Sequence, residues 1–265
     1  MKVTKLFVKQ QHGMHVEECK IITLRRGYGI EGDINAQAGS PRQVLMASTP
    51  TLADFNLNSG DLGENILIDT QVENFSSGQV LRIGKSALIR LTFLCEPCAN
   101  LDKIQPGLAQ ISQGKRGFLG IVVKDGVIEV GDEASLTSQL FPALPDDTKG
   151  RFNEFVRRIP PGKAVKTSDL LLALGVSKAY YRTIPIFLKK ASKDLPIHRI
   201  VRADGSLLSE YISEQEQLLR QEGIEIEYNR ICGNSHYWNS SYFHDLELLE
   251  ERDENFIFKI SNFKF

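Results

Sequence analysis

No window of this 265-residue chain approaches the roughly 20 consecutive apolar residues that a membrane helix requires. The opening stretch, MKVTKLFVKQQHGMHVEE, has no apolar core followed by a small-residue cleavage site, so it does not read as a secretory leader. Cysteine is scarce: Cys19, Cys95, Cys98 and Cys232 are too few and too unevenly placed for a disulfide scaffold. They read mostly as thiols. Together these absences predict a soluble, cytoplasmic chain with no membrane partner.

Net charge is also small, at -1, but its distribution is uneven. Residues 1 to 148 carry 14 Lys/Arg and 17 Asp/Glu, residues 149 to 203 carry 13 and 3, and residues 204 to 265 carry 5 and 13. The central basic segment attracts phosphate backbones, acidic protein surfaces or the acidic tail of the same chain. Charge alone does not choose among them.

What the chain does contain is enough apolar content, 42%, for one large or two ordinary domains. The first 138 residues predict many short strands separated by glycine turns: VTKLFV, CKIITL, QVLMAS, NILID, VLRIG, ALIRLTFL, LGIVVK and VIEVGDEASL. Their pattern fits a barrel or a strongly curled sheet. KDGVIEVGD predicts a hairpin turning at Asp125-Gly126. Breakers coincide in LFPALPDDTKG, and beyond it the period becomes helical. RFNEFVRRI predicts one helix, and DLLLALG a second, capped by Thr167 or Ser168. SKAYYRTIPIFLKKA predicts a third, capped by Ser177 and split by Pro185, so the Gly175-Val176 turn suggests a helix-turn-helix. SEQEQLLRQEG predicts another helix stopped by Gly223, and the tail has an acidic run, ELLEERDE, before a strand-like FIFKI. The division expected is 1–140 for a β-rich domain, 141–150 for a linker, 151–228 for a second domain and 229–265 for a C-terminal extension.

In the front half, GIEGD (29–33), PRQVL (41–45), GDLGENI (60–66), CEPCANL (95–101), KRGFLGIV (115–122) and GVIEVGD (126–132) follow in an order and spacing that resembles the MOSC domain. That family also forms the C-terminal part of molybdenum cofactor sulfurases. The resemblance implies a β-rich, barrel-like fold whose cysteine, here Cys98, handles sulfur or binds a molybdenum-pterin cofactor. It also places Arg42, Glu64, Asn65 and Arg116 near the cofactor pocket.

The residue chemistry is compatible. A thiolate is a soft ligand and nucleophile when cations lower its pKa, and two arginines supply such a field and grip an oxyanion bidentately. Asn65 can donate to a pterin edge and Glu64 can orient an arginine. The same residues also fit a capped turn, ordinary surface ion pairs and a cysteine packed in a core. Cys95 and Cys98 form a C-x-x-C, which suggests a dithiol or half of a zinc site. A structural zinc site needs four ligands, and Cys232, His236 and His244 join only if the tail folds back, so no metal site is predicted. Glu96-Pro97 reads as a loop-shaping pair.

Behind it, FNEFVRRIPPGKAVKTSDLLLALGVSKAYYRTIPIFLKKA, LPIHRIVRADGSL and LLRQEGI resemble, in order, the DNA-binding domain of O6-alkylguanine-DNA alkyltransferases and their non-enzymatic relatives. This implies an α/β winged-helix domain. In active members a reactive cysteine lies within P-C-H-R; here the loop is Pro196-Ile197-His198-Arg199, and Ile197 has no nucleophilic atom. The resemblance makes Arg182 the arginine that enters the duplex and Glu222 the glutamate of the relay with His198, while the family's nucleotide-rotating tyrosine falls at Thr167. The family's Asn-Pro before the active loop is replaced by a shorter SKD. From the residues, Ser177 at a helix start and Lys178, Arg182, Lys189 and Lys190 around it suit phosphate contacts, extended by Lys163, Lys166, Arg199 and Arg202.

Other readings stand beside these. His198 and Glu222 also suit a pair that merely holds the loop, Ile197 suits a filled core, and the basic face suits a protein partner as well as double-stranded DNA. Whether the chain is an enzyme stays open. The expectation is a molybdenum-cofactor or sulfur-carrier protein centred on Cys98 with a DNA-binding rear domain; the alternative is a non-enzymatic sensor of alkylated bases that recruits a partner.

Overall fold

A computed structural model describes residues 1–11 and 13–244. The ELLEERDE run and the FIFKI end lie outside the described residues. Two compact units emerge, one of Met1–Gln37 with Arg42–Ala143, the other of Leu144–His244 with Ala38–Pro41.

The front unit is built on strands β1 (Val3–Val8), β2 (Glu17–Cys19), β3 (Ile21–Arg25), β4 (Gly29–Ile30), β5 (Val44–Ser48), β6 (Ile66–Ile68), β7 (Gln79–Ile83), β8 (Ala87–Leu94), β9 (Phe118–Lys124), β10 (Gly126–Glu129) and β11 (Ala134–Leu140), with short helices α1 (Thr49–Asp54) and α2 (Leu108–Ile111). Eight strands form one sheet in the order β11-β7-β8-β9-β5-β6-β1-β2. Its β5–β6 pair is parallel, while the other pairs are antiparallel. This is the curled, half-barrel sheet expected from the strand pattern.

The reason lies in burial. Every residue of β5 and β6 is buried, as continuous apolar runs require at the centre of a sheet covered on both sides. On one side Leu6, Ile22, Leu24, Met46, Ile66, Ile89 and Phe118 pack into a core; on the other, Phe7, Leu52, Leu62, Leu67, Leu101 and Leu108 form a second cluster. Ser48 caps α1 by accepting from Thr51 N, with Pro50 in the first turn.

The hairpin predicted across Asp125-Gly126 does not close on itself. β10 pairs with β3, placing Ile128 opposite Ile22, in a separate three-stranded sheet β10-β3-β4. Asp125 turns outward to accept from Arg26 N, and Gly126 lies so close to Ala87 that a Cβ there would stand 2.6 Å from its nitrogen. No turn forms at Asp125-Gly126, and tertiary pairing gives β10 another partner. The residues around 141 also depart from a plain linker: Phe141 is buried beside Val80, Ile121 and Val123, and its N–H donates to Gly78 O.

The rear unit contains α3 (Thr148–Arg158), β12 (Val165–Lys166), α4 (Thr167–Leu174), α5 (Ile184–Lys189), β13 (Ile200–Val201), α6 (Gln215–Gln221), β14 (Ile226–Glu227), β15 (Arg230–Ile231) and α7 (Ser240–Phe243). Asp147 caps α3 by accepting from Gly150 N. The fully buried Arg151 then donates to the carbonyls of Leu174, Pro145 and Asp146, tying the entry of α3 to the end of α4. Neither Thr167 nor Ser168 caps α4; Thr167 is its first residue, and Lys166 at the cap position makes no side-chain bond. Gly175 ends α4 in the left-handed region at φ 68°, as a turn between two helices favours.

The third helix is split near Pro185, as expected. A 3-10 turn over Lys178–Arg182 precedes α5. Residues 229–244, counted with the extension by sequence, pack here: β14 pairs with β15, Ala164 bridges to Tyr237, and Phe155 meets Trp238 and Phe243.

Candidate functional site

In the front unit the register of β8 and β9, with Leu94 opposite Phe118, brings the turn after β8 beside the residues before β9. Cys95 N donates to Gly117 O at 2.8 Å. Gly117 is obligatory in this approach, since its φ is 116° and a Cβ would stand 2.3 Å from Met46 O. Arg116 therefore lies against the cysteine loop. Its Nη1 donates to Glu96 O at 2.8 Å and stands 3.7 Å from Cys98 Sγ, while Nη2 reaches Leu62 O at 3.4 Å. Arg42, just before β5, places Nη2 3.4 Å from Cys95 Sγ. Cys98 is exposed and Cys95 is buried.

Glu64 and Asn65 reach the neighbourhood in another way than sequence reasoning expected. Glu64 does not orient an arginine through its carboxylate; Oε1 accepts from Gly60 N at 2.6 Å, and Oε2 is buried with no hydrogen-bond partner among the described residues. Burial pushes its carboxyl pKa up, against the lowering by the Gly60 N–H. The loop grips Arg116 through the Leu62 carbonyl instead.

Asn65 is 2% exposed and its amide is committed internally, accepting from Leu45 N and donating to Phe7 O and Asp33 Oδ2. It shapes the loop, and its amide does not reach outward for a pterin edge. Asp33, overlooked as a site-building residue, also accepts from Lys9 N and Asn35 N, both at 2.8 Å. Its place in the turn of GIEGD was the available signal, because a short carboxylate there bonds nearby backbone N–H groups.

In the rear unit the loop over residues 196–199 is held against Glu222. His198 Nε2 lies 2.9 Å from Glu222 Oε1, and Arg199 brackets the same carboxylate, with Nε 3.0 Å from each oxygen. Gly162 N donates to Glu222 Oε2. Burial alone would raise the pKa of Glu222, but the hydrogen bonds from Arg199, His198 and Gly162 outweigh it and hold the value at about 2. Ile197 occupies the 3-10 turn at the centre of this loop and is half-buried, so it does not fill a closed core.

The predicted phosphate contacts divide. Arg199 is engaged with Glu222 and Ile159 O, which makes it a clamp inside the domain and removes it from the phosphate set. Lys163 Nζ donates to Ser235 O, Lys166 Nζ lies 4.2 Å from the Tyr237 ring centroid, and Arg202 pairs with Glu210. Ser177, Lys178, Arg182, Lys189 and Lys190 are exposed. Ser177 makes no side-chain capping bond, and the element after it is a 3-10 turn, so the expected helix-start phosphate site is not formed there.

Beside this face a cavity of about 420 Å³ is lined by Thr167, Tyr181, Pro185, Arg202, Asp204 and Tyr211 among others. Sequence reasoning found Thr167 but missed both tyrosines, which lie 14 and 44 positions away and meet only through the fold.

Residues 33–135 match the MOSC domain, and residues 147–224 match the 6-O-methylguanine DNA methyltransferase DNA-binding domain. A MOSC domain and an alkyltransferase-like DNA-binding domain are both present. Among solved structures the chain is similar to the YUAD protein from Bacillus subtilis, 17% identical over 53% of this chain and 96% of that one, with a TM-score of 0.46. It is also similar to YiiM from Escherichia coli, 20% identical over 69% of this chain and 90% of that one, with a TM-score of 0.41.

The chain is also similar to S. pombe Atl1, solved in complex with damaged DNA containing O6-carboxymethylguanine: 23% identical over 36% of this chain and 97% of that one, with a TM-score of 0.31. No curated protein matches the chain. The alkyltransferase-like domain pairs His198 with Glu222 and has Ile197 between Pro196 and His198, a side chain with no nucleophilic atom. Among the described residues no helix is long and apolar enough to cross a membrane.

Proposed function

We propose that the MOSC domain carries sulfur on Cys98 beside a bound molybdenum-pterin cofactor, and that the alkyltransferase-like domain binds double-stranded DNA without alkyl transfer. The observation that carries the first part is the exposed Cys98 thiol with Arg116 Nη1 3.7 Å from its sulfur. A guanidinium beside the sulfur places positive charge where an anionic sulfur donor approaches.

The donor set fits an anionic, sulfur-bearing group. Arg42 and Arg116 bring positive charge, Cys98 is a soft exposed ligand, and the orphaned Oε2 of Glu64 lies close in sequence to the Leu62 carbonyl that anchors Arg116. Among the described residues no three or more His, Cys, Asp or Glu side chains gather as metal ligands, so the cofactor's own organic part would hold its metal. When bound, that group supplies a redox-active centre able to exchange sulfur or oxygen. Arg42 and Arg116 would hold its negative charge and Cys98 would face it.

The sulfur step on the protein's own residues is simple. The Cys98 thiolate attacks the outer sulfur of a low-molecular-weight persulfide; a new S–S bond forms on Cys98, the donor's S–S bond breaks, and the donor leaves as its thiolate. Arg116 stabilises the negative charge at the attacking sulfur. Incubating the full chain with glutathione persulfide and determining intact mass tests this: gain of one sulfur in the native chain and none in Cys98→Ala supports it. Equal loading of both, with unchanged cofactor binding, removes Cys98 from the role.

A second reading is favoured by the cavity that joins Thr167, Tyr181 and Tyr211 next to exposed Lys178 and Arg182. It makes the rear domain a non-enzymatic sensor of alkylated bases. An aromatic-lined space suits an unstacked base, whose extrusion costs a few kcal/mol. Fluorescence anisotropy with duplexes carrying guanine or O6-methylguanine, at low and physiological salt, decides it: selective binding that survives physiological salt supports the sensor, and none at either salt removes it.

A further inference from the structure

The C-x-x-C loop holds two thiols in contrasting surroundings. Cys95 is 2% exposed, and Cys98 is open to solvent. Both are linked to one peptide oxygen, Cys95 directly and Cys98 through Arg116. The Cys95 thiol donates to Glu96 O at 3.8 Å, and Arg116 Nη1 donates to that oxygen at 2.8 Å while standing 3.7 Å from Cys98 Sγ. Arg42 Nη2 in turn stands 3.4 Å from Cys95 Sγ. Each sulfur thus faces its own guanidinium, and the two flank a single carbonyl–guanidinium pair.

An exposed thiol three residues from a buried one is an arrangement in which the first takes up a group and the second displaces it. A buried cysteine serving only to fill space needs no arginine at its sulfur. From this geometry we infer that Cys95 is the resolving thiol for sulfur carried on Cys98: it closes a Cys95–Cys98 disulfide and expels the carried sulfur as hydrosulfide. This rests on the sulfur-carrier reading of Cys98 and names how that site unloads.

The step balances. The Cys95 thiol attacks Sγ of the anionic Cys98 persulfide; the Cys95–Cys98 S–S bond forms as the bond between Cys98 Sγ and the outer sulfur breaks, and the outer sulfur takes up the Cys95 proton and leaves as HS⁻. The carried sulfur gains two electrons, and the two cysteine sulfurs together lose two. An external dithiol returns the pair to the reduced state by thiol–disulfide exchange, becoming oxidised itself. Arg42 stabilises the attacking Cys95 sulfur as it gives up its proton, and Arg116 stabilises negative charge at the Cys98 end. Bond formation requires the two Cα atoms within about 7 Å, and Arg116 Nη1 links Cys98 Sγ to the Glu96 carbonyl that Cys95 Sγ also reaches.

The experiment uses the full chain. After loading with glutathione persulfide and removal of the donor, hydrosulfide release is followed without reductant and the products are mapped by mass spectrometry. The native chain is expected to release its carried sulfur and to finish with a Cys95–Cys98 disulfide. Cys95→Ser and Cys95→Ala are expected to load Cys98 but to release sulfide at least about tenfold more slowly, retaining the extra sulfur. Release from both variants at the native rate, or native release with no disulfide formed, overturns the inference.

Treatment of unloaded native protein with diamide provides the independent arm. Formation of the Cys95–Cys98 bond, reversed by dithiothreitol, supports the pair even if a Cys95 variant folds poorly; its absence overturns the pair. If Cys98 accepts no sulfur but diamide still joins the two cysteines, the carrier reading has failed while the dithiol stands, so the two failures are told apart.

Discussion

The side-chain amide of Asn65 donates to Asp33 Oδ2 at 2.8 Å, joining the turn after β4 to the residue that precedes β6. Both side chains are buried, and the other polar atoms of Asn65 bond the backbone of Leu45 and Phe7. Removing the Asn65 amide takes the side-chain acceptor from Leu45 N and one donor from Asp33. Asn65→Ala is therefore expected to destabilise the front domain by about 2 kcal/mol or more, read as a lower urea midpoint. An unchanged midpoint would show that the bond carries no net stability.

Arg116 is the cation at the Cys98 sulfur, 3.7 Å away. A unit charge about 4 Å from another in bulk water is worth about 1 kcal/mol, so Arg116→Ala should slow alkylation of Cys98 by the anionic reagent iodoacetate roughly fivefold. The neutral reagent iodoacetamide should be affected less. Equal slowing of both reagents would point to loop disorder rather than charge.

Acid sensitivity is expected from Glu222. Its folded pKa of about 2 lies below the ordinary 4.5 because Arg199, His198 and Gly162 bond the carboxylate against the effect of burial. A depressed acid stabilises the fold fully above the ordinary value, and that contribution is lost as pH falls from about 4.5 towards about 2. The melting temperature of native protein should thus fall across this window more steeply than that of Glu222→Gln. Parallel curves would remove Glu222 as the source.

For DNA, the exposed Lys178 and Arg182 are the contacts to reverse. Lys178→Glu with Arg182→Glu should weaken duplex binding and flatten its dependence on salt, because fewer counterions are released. Anisotropy titrations at several salt concentrations measure both. Arg199→Ala should instead lower thermal stability, since Arg199 holds Glu222 and Ile159 O; a stable variant with weakened DNA binding would return Arg199 to the contact set.

Legible in the chain alone were the strand-rich front half, the helical rear half, the two family resemblances and the missing nucleophile at Ile197, because these depend on periodicity, breakers and residue identity over short stretches. The split of the third helix was legible too, since Pro185 acts locally through its ring and its missing N–H. The partner of β10 was not. The dipeptide Asp125-Gly126 signals a turn that would pair β10 with β9, but no turn forms there and Ile128 is buried opposite Ile22 on β3 instead.

The same limit governed side-chain roles. Residue type made Asn65 a possible donor to a ligand and Arg199 a possible phosphate contact, whereas packing spent the first on Asp33 and the second on Glu222. C-x-x-C spacing named Cys95 and Cys98, but only the fold buried one, exposed the other and brought an arginine to each. Hydrogen bonds between positions far apart in sequence form only when the sheet registers and helix ends are in place, and those bonds decide which polar groups remain available for chemistry.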